Sequence, residues 1–126
     1  MEPQKPSYDI DDFISECASE APRVTVAYDA EMSAKNNFNL PTDKDLISFI
    51  GNGGLNPRKF KNSSPQRLEL AGNRGKMVDA YHFRIGQKIG YIAFLFNEQQ
   101  KKWRIKSFKN NTQQVSPKLR KMLGVK

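Results

Sequence analysis

The sequence predicts an α+β fold: N-terminal helices packed on a three- to four-stranded antiparallel sheet, with a short C-terminal helix. Three observations support this. Apolar residues recur at helical spacing before residue 55 and at strand spacing after residue 67. The helical segments precede the strands instead of alternating with them. Connections between the later strands are too short for parallel crossovers, so their pairing is antiparallel.

Asp9 suits a helix N-cap, with Ile10, Phe13, Ile14 and Cys17 forming one apolar stripe that ends before Ala21-Pro22. Arg23 to Tyr28 alternates and is rich in β-branched residues, which predicts a strand or extended segment. Asp29 to Phe38 fits a short helix or a loop, and Asn36-Asn37 favours a loop by its end. Thr42 caps a second clear helix with acids in its first turn; Leu46, Ile47, Phe49 and Ile50 form the buried face, and Gly51 stops it. The Gly51-Asn52-Gly53-Gly54 cluster follows a helix and lacks nucleotide-motif spacing, so it is no phosphate loop.

Arg67 to Leu70 reads as a first central strand, with Asn73 to Lys76 as a basic turn. In Asp79 to Ile85, Tyr81, Phe83 and Ile85 share one face and His82 and Arg84 the other. Gly90 to Phe96 is apolar without alternation, as befits a central strand covered on both faces. Trp103 to Phe108 alternates again, with Trp103 and Ile105 inward and Arg104, Lys106 and, by the same parity, Phe108 outward. Pro117 opens the last helix, a position that tolerates proline.

Charge divides this single predicted domain of residues 1–126. A loose tail (1–8) leads into an acidic, mainly helical part (9–55), and a basic sheet with its closing helix follows (56–126). The net charge is +8, but residues 1–55 hold four basic side chains against ten acidic ones. Residues 56–126 hold seventeen against three, a net of +14. A bias of this size predicts a polyanion-binding surface. Cys17 is the only cysteine and His82 the only histidine, which excludes an internal disulfide and a Cys/His-rich zinc site. No cofactor motif, signal peptide or apolar run of membrane-spanning length is present, so the expectation is a cytoplasmic protein without a membrane partner.

If the strands pair in order, Arg67, His82, Arg84, Arg104 and Lys106 gather on one sheet face. Lys88, Lys109, the basic loop at Arg58, Lys59 and Lys61, and the turn at Arg74 flank them. Such cations neutralise phosphates, and arginine grips them bidentately. Phe108 is the candidate for stacking a base. A histidine among cations can act as general acid or base in RNA cleavage. With no metal-ligand set, the substrate's own 2′-OH would be the nucleophile.

On Asn56-Pro57-Arg58, Arg67 to Gly72, Tyr81 to Gly86 running into Lys88 to Tyr91, and Trp103 to Asn110, residues 56–117 resemble the RelE/ParE superfamily of bacterial toxins. The Phe-Lys-Asn-Asn-Thr-Gln-Gln segment is similar to the HigB-like branch. The resemblance implies a RelE-like fold, metal-independent cleavage of mRNA, often ribosome-bound, and a small acidic antitoxin over the basic surface. By position it implies catalytic roles for His82, Arg84, Lys88 and Lys109, with Lys88 standing where the family often has arginine. One alternative is a non-catalytic basic module that binds RNA, DNA or an acidic protein through the same face. In a third reading, the acidic segment covers its own sheet until a partner displaces it.

Overall fold

A computed structural model describes residues 8–55, 67–68, 78–85, 87–111 and 117–122. Helix α1 (Ile10–Cys17) starts at Asp9, whose Oδ1 accepts the Asp11 N–H at 2.8 Å. That bond satisfies a donor that the helix itself leaves open. A short strand, β1 (Val24–Val26), leads into α2 (Tyr28–Phe38). The segment that the sequence left open is thus helical. Ala30, Ala34 and Phe38, four residues apart, are its buried stripe. Asn39 ends it in the left-handed region with φ 56°, a common way for a helix to stop. Helix α3 (Asp43–Gly51) starts with the expected Thr42 cap, whose Oγ1 accepts from Asp45 N and donates to Asp45 Oδ2.

Next come β2 (Arg67–Leu68), β3 (Asp79–Ile85), β4 (Lys88–Asn97), β5 (Lys102–Asn110) and a further helix, α4 (Pro117–Met122). The strands lie in the order β1-β5-β4-β3-β2. β2 to β5 pair antiparallel, as their connections require, and β4 occupies the centre. β1 joins the far edge parallel to β5, with Val24 opposite Trp103 and Val26 opposite Ile105, which makes the sheet mixed. The class is α+β.

One face of the sheet carries the helices. Phe13 stacks on Phe94 with ring centroids 4.2 Å apart, and Trp103 closes on both rings. Further along, the rings of Phe38, Phe49, Phe83 and Phe108 contact one another. The tight packing depends on glycine at two places. A Cβ on Gly90 would run into the ring of Phe83, which lies across the strand from it. A Cβ on Gly51 would come within 2.7 Å of the backbone at Cys17 and Ala18, where α3 meets the end of α1. The opposite face carries a smaller cluster of Val78, Ala80, Tyr91, Ala93 and Leu95. Among the described residues, no helix is long and apolar enough to cross a membrane.

Candidate nucleic-acid interface

The cationic face is set by register. His82 lies opposite Tyr91, and Tyr91 opposite Lys109, so one row crosses β3, β4 and β5 on the face away from the helices. Arg84, half-buried and opposite Ile89, belongs to the next row. Toward the other end, Arg104 pairs with Leu95 and with Thr25 of β1, and its Nη1 lies 3.4 Å from Thr25 Oγ1.

Between these rows β5 carries a bulge. Ile105 pairs with Phe94 and Ser107 with Ala93, which leaves Lys106 as the extra residue. The bulge inverts the alternation beyond it. Phe108, expected outward with Arg104 and Lys106, instead pairs with Ile92 and is 1% exposed in the helix-covered core. It cannot stack a base. The same inversion brings Lys109 onto the face of Arg104. Its Nζ lies 4.9 Å from the centre of the Tyr91 ring, a cation–π contact.

Two further expectations are corrected. Lys88 does not join the cationic face: its Nζ donates to the Asn37 carbonyl at 2.8 Å and lies over the Phe38 ring, both at the end of α2. A cation there meets the negative end of the helix dipole. Arg67 pairs with Tyr81, whereas a face shared with His82 and Arg84 would need it opposite one of those two. Arg58, Lys59, Lys61 and Arg74 lie outside the described residues.

His82 is 4% exposed. The Asn111 Nδ2 lies 2.9 Å from Nε2 and donates to it. That puts the ring proton on Nδ1, a buried atom that has no partner among the described residues. The ring also meets Tyr91 edge-on. Burial holds its pKa below the ordinary 6.5, because desolvation penalises the imidazolium. The result is a neutral, packed imidazole, a geometry that fits an occupied structural group better than an open general acid or base.

Arg104, Lys106 and Lys109 are all exposed. Among the described residues, no ion pair joins them to an acid of α1, α2 or α3; Lys101 and Glu98 form an exposed pair in the β4–β5 turn. Where β1 ends, the chain leaves the sheet beside Ile105 and starts α2. There an open groove of about 460 Å³ is lined by Ala27, Tyr28, Asp29, Leu95, Asn97, Arg104 and Lys106. Tyr28 is 70% exposed, the one large hydrophobic side chain so placed among the described residues.

Sequence reasoning missed Tyr28 because it read as the end of the extended segment from Arg23, whereas β1 stops at Val26 and α2 starts at Tyr28. The Ala30/Ala34/Phe38 stripe was the available signal. A residue two positions from Ala30 lies more than half a turn around the helix and so faces outward. The Asn111 contact to His82 had no local signal, because it joins residues 29 positions apart.

A second pocket of about 290 Å³ lies between α1 and α3 and includes Cys17. Burial, assisted by Glu16, pushes that thiol up to about 12, so it is no nucleophile at neutral pH. Among the described residues, no group of His, Cys, Asp and Glu is arranged to hold a metal ion. No family model matches the chain, and no curated protein or solved structure matches it.

Proposed function

We propose that this protein binds RNA through the cations of β5. The observation behind this reading is that Arg104, Lys106 and Lys109 are exposed on one strand, opposite the helix layer. Among the described residues, none of the three is paired with an acid of α1–α3. Cations placed this way displace the counterions condensed on phosphates. The helices pack their apolar side on the other face, and among the described residues Asp29 is the one acid of α1–α3 that lines the groove with Arg104 and Lys106, which argues against the self-masking reading.

The test is fluorescence anisotropy of a labelled single-stranded RNA across a salt series. Each of the three cations should add about 0.7 to the log–log salt slope on a single strand. The Arg104→Ala, Lys106→Ala, Lys109→Ala triple variant should therefore lower that slope by about 2 while remaining folded. Binding without salt dependence would count against the proposal, as would an unchanged slope. A preference for an acidic protein over RNA would move the same surface to the module's other class of partner.

One observation favours a second reading, the RelE-like ribonuclease: the neutral His82, Arg84 and Lys109 occupy adjoining rows of one face. In that reading the ring must first leave Asn111 to reach a 2′-OH. Cleavage in EDTA that 2′-O-methylation and His82→Gln both abolish would support it; intact RNA at saturating protein would remove it.

A further inference from the structure

We infer that the groove beside β5 is a nucleotide subsite for single-stranded nucleic acid, in which the Tyr28 ring stacks a base while Arg104 and Lys106 hold the adjoining phosphate. This rests on the polyanion-binding reading and narrows it. The two walls of the groove differ in chemistry. The first turn of α2 supplies Tyr28 and Asp29, and β5 supplies Arg104 and Lys106, with Leu95 and Ala27 adding apolar surface. A volume of about 460 Å³ lies within the ~300–1,000 Å³ usual for small-ligand sites, room for one nucleotide rather than a helix.

Tyr28 is 70% exposed. A tyrosine so placed forgoes the stabilisation of burial, yet it gives every base a π-face. The Asp29 carboxylate repels phosphate, so the phosphate belongs at the Arg104–Lys106 wall and the base at the α2 wall. There the carboxylate can accept from a base N–H. The bulge contributes directly: as the extra residue in the ladder, Lys106 stays exposed in the groove next to Arg104. A duplex keeps its bases stacked on one another and cannot offer one to Tyr28.

The experiment compares Kd values of the full chain for a short labelled RNA strand, the DNA strand of the same sequence, the RNA duplex and an abasic strand of equal charge. Tyr28→Ala should weaken binding of the RNA strand roughly five- to a hundredfold, the loss expected for one stacking ring, and Tyr28→Phe should restore it. The duplex and abasic strand should bind wild type and Tyr28→Ala alike. The DNA arm shows whether the subsite distinguishes sugars, and a matching loss there equally supports stacking. If wild type binds the RNA strand but Tyr28→Ala binds it as well, the subsite is wrong and the cationic surface stands. Failure of wild type to bind any of the four overturns both.

Discussion

Across β3, β4 and β5 the same strands present two different environments. On one face, Phe83 lies against Gly90 and Phe108 under α2 and α3, within a cluster of contacting rings. On the other, His82 meets Tyr91 of a smaller cluster edge-on, and β5 extends Arg104, Lys106 and Lys109 into solvent. Adjacent residues of one strand, Phe108 and Lys109, therefore serve opposite ends: one stabilises the fold, and the other is available to a ligand. The difference teaches that position relative to the bulge, rather than residue type or parity, assigns each β5 side chain its role.

The sharpest way to break this comparison is Phe108→Ala. A buried phenylalanine cut to alanine loses transfer energy and leaves a cavity, so urea unfolding should show a loss of about 3–5 kcal/mol. RNA affinity of the fraction that remains folded should be unchanged. The reverse pattern, normal stability with weakened binding, would return Phe108 to the cationic face and overturn the bulge register.

The contrast also explains what the sequence made legible. The capping residues Asp9 and Thr42 announced α1 and α3 because a cap is a local interaction, satisfied within three residues. Short connections likewise announced the antiparallel meander. The pairing of β1 with β5 was hidden because it joins residues 79 positions apart. α2 was ambiguous because its buried stripe opens with two alanines, a weak apolar signal. Arg104, Lys106 and Lys109 were expected on or beside one basic face from charge and strand alternation, and all three are exposed on β5. Phe108 was misplaced because nothing in Ile105-Lys106-Ser107 marks a bulge, and one inserted residue reverses every side chain beyond it. Lys88 was misassigned because its partner is a backbone carbonyl of a distant helix end.

A smaller effect sharpens the contrast by pH. His82 is held neutral by burial, so its folded pKa lies below the unfolded value of about 6.5. Between those two values the unfolded chain binds more protons than the folded one. Stability should therefore fall as pH drops below about 6.5 and level off once the folded ring also protonates. As the chain's only histidine, it titrates there apart from the carboxylates. His82→Gln should flatten this part of the curve in urea melts taken at successive pH values; an equal slope in wild type and variant would assign the loss to other groups.

The smallest expected effect separates two lysines that charge alone makes equivalent. Lys88 Nζ binds the Asn37 carbonyl at the C-terminal end of α2, where a cation is worth about 0.3–1 kcal/mol. Lys109 projects from the opposite face over Tyr91 with no carboxylate partner among the described residues. Lys88→Ala should thus lower stability by a fraction of a kcal/mol, up to about 1 kcal/mol, and leave the RNA salt slope unchanged. Lys109→Ala should keep stability within about 0.5 kcal/mol and lower the slope by about 0.7. Paired urea melts and salt titrations read both quantities for each variant. Equal loss of slope in the two would mean that RNA wraps past the sheet edge to reach α2, and the division between a packing face and a binding face would then fail at Lys88.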